Sequence, residues 1–382
     1  MPMILTDLPD GFHDDPWPHY AALREAGAVR QPDGSVLLGR HRDLEAVYKD
    51  PATFRSDKRE VFAPKFGDTP LYAHHTTSLV FNDPPLHGRV RRVLTGALTP
   101  RALAQLQPRL EALVDGLLDR MGAQPDLIED YAAAIPVEVI GDLLDVPRAE
   151  RGPLRGWSLA ILGALEPAPG AARLEAGNAA VEAFLAYLRD LVARRRARPG
   201  DPETDVLTRL AADPDLSEAE LLHNCIFILN AGHETTTNLI GSALWLLDRH
   251  KAARGADPAA LIEETLRLES PNQLGNRQTT APVTLAGVEI AAGTDLHLCI
   301  GAANRDEAVF EDPDRLRPGR PPRHLAFAAG PHVCIGLTLA RMEGRVALAR
   351  FLARHPGYRI VDAERAGRVR FRGFSRLTAR LG

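Results

Sequence analysis

Cysteine is scarce in this chain of 382 residues, occurring only at Cys225, Cys299 and Cys334. An odd and sparse set argues against a disulfide framework and favours a reducing compartment. No pair of cysteines or histidines has the spacing that is typical of a zinc site. Cys225 and Cys299 lie in apolar segments, where cysteine usually serves as a small packing residue. The sequence therefore leaves Cys334 as the cysteine that can carry chemistry.

Long apolar runs are also missing. No stretch reaches the ~18 apolar residues that a membrane helix requires, and the first eleven residues lack the basic flank and apolar run of a targeting signal. Almost every basic residue is arginine, and the lysines are Lys49, Lys58, Lys65 and Lys251. A net charge of −4 gives no reason to expect a nucleic-acid partner. We therefore expect a cytoplasmic protein with neither a membrane nor a nucleic acid as partner.

The most informative segment is residues 327–336, which read F-x-x-G-x-H-x-C-x-G and precede an apolar helical stretch. Glycines let the backbone adopt positive φ and pass close to a flat ligand. A helix start places N–H groups and the positive end of a dipole near the sulfur of Cys334, which favours the thiolate. Such a loop can offer one thiolate to a haem iron. A thiolate ligand donates electron density to that iron and favours O–O cleavage.

These ten residues resemble the haem loop of the cytochromes P450. The resemblance implies that Cys334 is the axial ligand of the iron of haem b, iron protoporphyrin IX, and that the loop binds the cofactor through Phe327, Gly330, His332 and Gly336. Ala328 stands where the family usually has glycine. We expect its methyl group to be tolerated, although it crowds the loop.

A second motif, A-G-H-E-T-T at residues 231–236, lies within a helical pattern that extends from 217 to 249. Ser217 and Glu220 have the spacing of a capping box. A helix of this length is well above the average. The hydroxyls of Thr235 and Thr236 can bond back to a carbonyl one turn earlier, which bends or opens a helix.

The motif resembles the oxygen-activation segment of the P450 enzymes. By that resemblance Ala231 lies against the cofactor, and Thr235 holds dioxygen and a water molecule by hydrogen bonds. Glu234 connects the site to protons from solvent. An acid beside an alcohol is the least that a proton relay requires.

The pair Glu264 and Arg267 has the E-x-x-R spacing, three residues apart on one face of a predicted helix. In the family this pair belongs to a buried network that holds the loop behind the haem. Arg320 is our candidate for the third member, and Arg317 is the alternative.

Two haem propionates need charge-assisted partners if they are to be buried. The segment D-P-P-L-H-G-R-V-R at residues 83–91 resembles the family's D-P-P-x-H-x-x-x-R element. The resemblance assigns the propionates to His87, Arg91, Arg277 and His332. His87 and Arg91 are four residues apart, so both project from one helix face.

The remaining pattern predicts a mainly helical protein. Helices are predicted over residues 15–27, 86–98, 101–121, 133–144, 173–195, 217–249, 258–268 and 337–354, and strands over 36–38, 283–290 and 294–300. The resemblance implies the cytochrome P450 fold, mainly α with a small β-rich lobe, as a single domain over residues 1–382. The haem would be buried between the long central helix and the helix after the Cys334 loop.

The expected function is that of a haem-thiolate monooxygenase, which inserts one atom of O₂ into a small organic, natural-product-like substrate. No nucleotide-binding G-x-G-x-x-G or iron–sulfur cysteine cluster is present, so electrons come from outside. A ferredoxin with its reductase, or a flavodoxin, is the expected partner of a monomeric enzyme. Four arginines are candidates for contact with an acidic ferredoxin: Arg89, Arg92, Arg341 and Arg345.

Three alternatives stay open. A P450 of this kind can catalyse oxidative coupling or desaturation, because the first steps are shared. A haem protein that only binds gas is a second alternative. A peroxide-driven enzyme is a third, and Glu234 with Thr235 argues against it.

The sequence does not identify the substrate. By resemblance the pocket walls come from the segment 62–80, the region 157–165, the long helix and two later segments. The candidate pocket residues are Phe227, Asn230, Asn272, Gln273, Leu274 and Phe374. They are mostly apolar with a few polar points, which is typical of small-molecule sites.

Overall fold

The computed structural model describes residues 3–202 and 205–381. Helices dominate it. They are α1 (Trp17–Ala26), α2 (His41–Lys49), α3 (Arg59–Phe66), α4 (Pro70–Thr77), α5 (Leu86–Ala97), α6 (Pro100–Arg120), α7 (Ala134–Leu143), α8 (Leu154–Gly163), α9 (Ala171–Ala197), α10 (Val206–Ala212), α11 (Glu218–Arg249), α12 (Pro258–Leu268), α13 (Ile300–Ala303) and α14 (Leu337–Arg354). Short 3₁₀ turns cover Leu79–Phe81, Arg148–Glu150, Lys251–Gly255 and Gly330–His332, and a π-helical turn covers Ile128–Ala132.

Helix α11, with 32 residues, runs through the main core. The predicted capping box sets its start. The Ser217 hydroxyl accepts the Glu220 N–H at 3.2 Å, and the Glu220 carboxylate accepts the Ser217 N–H at 2.8 Å. Two orphan N–H groups are satisfied in this way, which fixes the first turn. The helix packs against α7, α8, α12 and α14, so its middle is enclosed by other helices.

Gly232 lies in that enclosed middle. A Cβ atom at this position would collide with the side chain of Ile140 on α7. The glycine lowers helix propensity, and in exchange it allows α7 to approach closely. The A-G-H-E-T-T motif therefore sits where two helices are in unusually tight contact.

The strands are β1 (Ala28–Arg30), β2 (Val36–Leu38), β3 (Phe54–Arg55), β4 (Leu274–Thr279), β5 (Val283–Leu285), β6 (Val288–Ile290), β7 (Asp295–Cys299), β8 (Arg359–Arg365) and β9 (Phe374–Arg380). Most of them belong to a small lobe with its own apolar core, whereas β9 packs on the main core. One sheet has the order β1-β2-β7-β4-β3, with β2 and β7 parallel and the other neighbours antiparallel. The pairs β5–β6 and β8–β9 are hairpins.

The seven helices predicted from residue 86 onward lie within two residues of the observed ends. The single strand predicted over 283–290 is wrong, because Ala286 and Gly287 adopt φ of 51° and 78° and form a tight turn. Two successive positive φ values suit a two-residue hairpin loop, so the segment is β5, turn and β6. In the two described stretches, no helix is long and apolar enough to cross a bilayer.

Candidate active site

The segment around Cys334 is a closed loop rather than an extended strand. The Cys334 N–H donates to the carbonyl oxygen of Phe327 at 3.0 Å, and the Ala328 N–H donates to Leu325 at 2.9 Å. Gly330 has φ of +67°, and a Cβ there would collide with the backbone carbonyl of Tyr48. Glycine is required at this position both by the dihedral angle and by the close approach.

Ala328 also adopts positive φ, at +57°. The left-handed region costs a non-glycine residue roughly 1–2 kcal/mol. The sequence predicts that the methyl group at this position crowds the loop. The structure shows that its effect is backbone strain, because the residue adopts positive φ. Gly336, by contrast, has φ of −81° and needs no glycine on conformational grounds.

The Cys334 side chain keeps accessible surface within the fold. Cys334 is exposed, whereas Cys225 and Cys299 are buried. Burial nevertheless raises the pKa of the Cys334 thiol, so dense protein surrounds a side chain whose own surface is accessible. The N–H of Gly336 and the positive charge of Arg91 act in the opposite direction and lower that pKa. These groups favour the thiolate form that ligates a metal.

One face of α11 keeps accessible surface in the same way. Ala231 is exposed and Phe227 and Thr235 are half-buried, although they lie in a helix whose other faces are buried. These three residues are spaced four apart and share one face. The Thr235 hydroxyl donates to the Ala231 carbonyl at 2.8 Å, as the motif predicts, and α11 continues through it without a break.

Glu234 does not reach solvent. Its side chain is buried, and one carboxylate oxygen bonds to the guanidinium of Arg368. Arg368 also donates to Glu166, which lies between α8 and α9, at 3.3 Å. Burial raises the pKa of Glu234, and the charge of Arg368 offsets part of that effect. The sequence gives no signal for this arrangement, because Arg368 is far from Glu234 along the chain.

The four predicted propionate ligands gather beside the Cys334 loop. Arg91 donates to the Val333 carbonyl at 2.9 Å. The rings of His87 and His332 are 3.9 Å apart, and the buried Nε2 of His87 has no hydrogen-bond partner among the described residues. Arg277 is buried, stacks on Tyr48 at 5.1 Å and donates to a carbonyl oxygen.

The charges of this cluster fit a ligand with two carboxylates. Within residues 3–202 and 205–381, neither Arg91 nor Arg277 has a carboxylate oxygen within 4.0 Å. Buried guanidinium groups of this kind are stabilised by paired anions. The nearest acid, Asp83, accepts the N–H groups of Ser56 and Asp57 and lies 3.5 Å from His332, and together these contacts lower its pKa to about 2.

The E-x-x-R residues form the expected buried network. Arg267 donates from Nε to Glu264 at 2.9 Å and from Nη2 at 2.8 Å, and Arg320 donates from Nε to the same carboxylate at 3.2 Å. Arg317, the alternative third member, contributes its backbone N–H at 2.9 Å. Arg267 also donates to the Pro313 carbonyl at 2.6 Å, so the network ties α12 to the segment before the Cys334 loop.

A neighbouring acid completes this link. Glu263 lies 3.1 Å from His324 Nε2 and accepts from Arg341 at 2.9 Å, which lowers its pKa to about 2. Arg341 is on α14, and its guanidinium lies over the Phe327 ring at 4.7 Å. The E-x-x-R motif does not include Glu263, and its place beside Glu264 is the signal in the sequence for this contact.

The candidate pocket residues divide into two groups. Phe227 and Asn230 lie on the middle of α11, and the buried Oδ1 of Asn230 has no partner in the described part of the chain. The Gln273 side chain donates to the Ser270 carbonyl at 2.6 Å and so provides a hydrogen-bond partner for that backbone oxygen. Asn272 pairs with Phe371 in an isolated antiparallel β-bridge. Leu274 is fully buried.

Phe374 lies away from the accessible face of α11. It packs on Trp245, with ring centroids 5.6 Å apart. Trp245 is ten residues beyond Thr235 on α11, roughly 15 Å along the helix axis at 1.5 Å per residue. The structure therefore places Phe374 in the core beyond the site.

Most of the arginines that we expect to contact an acidic ferredoxin are already paired with acidic side chains of this chain. Three of the four have acidic partners: Arg89 with Glu220, Arg92 with Asp215 and Arg341 with Glu263. Arg345 has a side-chain amide as its neighbour, at 3.4 Å. Ion pairs of this kind lower the net positive charge that the surface offers.

Paired substitutions test the loop conformation. Gly330→Ala should destabilise the protein by about 2–4 kcal/mol, because it adds both left-handed strain and a collision with backbone. Ala328→Gly should stabilise it by about 1 kcal/mol, because glycine occupies the left-handed region without strain. Thermal unfolding of the haem-loaded variants measures both effects. Shifts in the same direction would contradict this description of the loop.

The chain is similar to known proteins over most of its length. A family model described as cytochrome P450 matches residues 259–355. Cytochrome P450 107B1 of Saccharopolyspora erythraea is 35% identical, with 99% of this chain and 98% of that protein covered. Vitamin D(3) 25-hydroxylase of Pseudonocardia autotrophica is 37% identical, with 90% and 87% covered. The crystal structure of P450BioI in complex with hexadec-9Z-enoic acid ligated acyl carrier protein superposes with a TM-score of 0.92 at 28% identity, covering 98% of this chain and 100% of that one.

Proposed function

Because the chain belongs to the cytochrome P450 family and is a haem-thiolate monooxygenase, we propose that it hydroxylates a natural-product-like substrate with electrons from an external donor. The observation that carries the proposal is that Cys334 and the face of α11 with Ala231 and Thr235 both keep accessible surface, although α11 is enclosed by other helices. Hydroxylase relatives favour oxygen insertion over coupling or desaturation, and over gas binding.

We assign the cofactor contacts as follows. Cys334 holds the iron as a thiolate, favoured by the Gly336 N–H and Arg91. His87, Arg91, Arg277 and His332 hold the two propionates. When bound, the haem supplies activation of dioxygen, and the protein supplies orientation, protons and exclusion of water.

Proton delivery falls to Glu234 and Thr235. The Thr235 hydroxyl donates to the Ala231 carbonyl, and its oxygen can still accept hydrogen bonds. At this face of α11 it would hold dioxygen and a water molecule. Glu234 has one oxygen bonded to Arg368 and a second, Oε2, without a partner among the described residues. Burial raises the pKa of Glu234 and Arg368 lowers it. Oε2 is the oxygen from which Glu234 would relay protons.

The electron donor that we propose is a ferredoxin with its reductase, or a flavodoxin. Both are small acidic proteins, and electrostatic attraction would speed their encounter with a basic patch. Arg345 is the candidate contact with the least neutralised charge. We further propose that residues 1–382 form one domain, that the enzyme is a monomer, and that it works in the cytoplasm, where such donors stay reduced.

Isotope labelling tests the function directly. The haem-loaded protein, supplied with ferredoxin, its reductase, NADPH and ¹⁸O₂, should convert a substrate that produces a spin-state shift into a product with one ¹⁸O atom. Steroids and macrolides form a suitable first panel, because similar proteins include a vitamin D(3) 25-hydroxylase and an erythromycin C-12 hydroxylase. Products that lack ¹⁸O would assign the enzyme to coupling or desaturation instead.

Haem retention tests the propionate assignment. Arg277→Met should lower the haem content of the folded protein several-fold, because a propionate would then be buried without its counter-charge. Pyridine haemochrome assay against protein concentration gives the measurement. Arg376→Ala is the matched control, because Arg376 is exposed on β9 and pairs with Asp362 at 2.7 Å. Equal haem content in both variants would contradict the assignment.

A further inference from the structure

Two basic side chains lie inside the protein with carbonyl oxygens as their neighbours. Lys65 on α3 donates to the Glu166 carbonyl at 2.8 Å. Arg370 donates to the carbonyls of Leu165 at 3.0 Å and Leu274 at 2.7 Å. Within the described ranges, neither has a carboxylate oxygen within 4.0 Å. Both keep some accessible surface, although burial lowers their pKa values.

The acid nearest to these cations is already engaged. Glu166 accepts the N–H groups of Val369 at 2.9 Å and Arg370 at 3.2 Å, and it accepts from Arg368 at 3.3 Å. Arg368 is shared with Glu234. Three cations (Lys65, Arg368 and Arg370) therefore face two carboxylates (Glu166 and Glu234), which leaves an excess of one positive charge.

Other titratable groups nearby do not cancel this charge. Asp295, whose charge also acts on Lys65, is paired with Lys58. His75 is buried, and its pKa is lowered to about 3, so it is neutral at physiological pH. The excess positive charge has no acidic counterpart in the described part of the chain.

Aromatic rings surround the Lys65 end of this cluster. Phe62 contacts Phe66 and Phe81 with ring centroids 5.1 and 5.0 Å apart, and Phe66 contacts His75 at 5.4 Å. These residues belong to the segment 62–80, which the resemblance to the family assigns to the pocket wall. Arg370 donates to the carbonyl of Leu274, another of the candidate pocket residues. An apolar surface thus adjoins an uncompensated cation.

We propose that the substrate is an apolar molecule with a free carboxylate, and that Lys65 and Arg370 bind that carboxylate. The proposal rests on the monooxygenase function and adds the chemical class of its substrate. An ammonium group has three N–H donors, and one bond of Lys65 is to a carbonyl. A carboxylate would accept charge-assisted bonds, which are shorter and stronger than neutral ones.

A free acid and a carrier-bound acyl group differ in charge at the end that would contact Lys65 and Arg370. A thioester or ester has no negative charge, so it cannot neutralise Lys65 and Arg370. The P450BioI structure contains a fatty acid ligated to an acyl carrier protein. For this chain the charge excess favours the free acid, and a thioester that binds as tightly as its acid would contradict the proposal.

Spectral titration of the haem-loaded enzyme supplies the test. The probes are acids, each paired with its methyl ester. The acids are C8–C18 fatty acids, phenylalkanoic acids and abietic acid. Hexadec-9-enoic acid is also tested as its N-acetylcysteamine thioester. At pH 7 at least one acid should bind about tenfold more tightly than its ester. Its affinity should fall as pH rises through about 8, where Lys65 loses its proton, while ester affinity stays constant. The proposal is overturned if no acid in the panel binds more tightly than its ester.

Variants assign the effect to Lys65. K65Q should weaken binding of the preferred acid about tenfold and leave the ester unchanged, whereas K65R should retain acid binding. K251Q is the control, since Lys251 is an exposed lysine in a 3₁₀ turn. The carbon monoxide spectrum of each variant shows whether the haem–thiolate site is intact. Loss of that spectrum in the wild type would refute the proposed function, whereas an intact spectrum with no acid preference would refute only this inference.

Discussion

Replacement of Cys334 by serine should abolish monooxygenation and remove the thiolate signature of the haem spectrum. A serine hydroxyl does not ionise near neutral pH, so it cannot provide the anionic sulfur donor that promotes O–O cleavage. We expect turnover to fall at least ~10³-fold, which corresponds to about 4 kcal/mol of activation free energy. The loop should survive, because its closing bond uses the backbone N–H of residue 334 and the Phe327 carbonyl.

The Cys334→Ser experiment needs two readouts and a cysteine control. Haem content shows whether the cofactor still binds, and the reduced carbon monoxide spectrum shows which ligand it has. Cys299→Ala is the matched control, since Cys299 is a buried packing cysteine on β7. It should lose some stability and keep the thiolate spectrum. Full turnover in Cys334→Ser would show that the iron ligand lies elsewhere.

Thr235→Ala should separate electron consumption from product formation. The hydroxyl bonds back to the Ala231 carbonyl, and alanine is the better helix former, so the helix itself does not need it. Haem and substrate binding should therefore be retained. We expect the fraction of NADPH converted to product to fall roughly tenfold, which is less than the 10²–10⁴-fold that a general acid or base typically contributes, with the lost electrons released as peroxide.

Thr237 provides a matched control for this prediction. Its hydroxyl makes the same kind of bond, to the His233 carbonyl at 3.0 Å, but its side chain is buried on another face of α11. Thr237→Ala should leave coupling unchanged. Unchanged coupling in Thr235→Ala, or an equal loss in both variants, would mean that the Thr235 hydroxyl has no special role in proton delivery.

Features set by neighbouring residues were predictable from the sequence. The capping box at Ser217, the E-x-x-R pair and the loop around Gly330 each depend on short spacings, and the structure has them. Arg320 joins Glu264 across a longer interval, and its place before the Cys334 loop was a sufficient guide.

Features that depend on distant contacts were not predictable. Arg368 meets Glu234 and Glu166 only because three separate segments fold together, and an arginine among so many carries no signal of its own. Strand β8 is largely exposed and lacks a regular alternation of apolar residues, so periodicity does not reveal it. The placement of Phe374 beside Trp245 likewise depends on the register of β9 against the rest of the fold.

The carbon monoxide spectrum of the purified, dithionite-reduced wild-type protein tests the thiolate assignment most directly. The assignment of Cys334 as iron ligand predicts a strongly red-shifted Soret band. A band at the position typical of histidine-ligated haem, in protein that is folded and fully loaded, would contradict it.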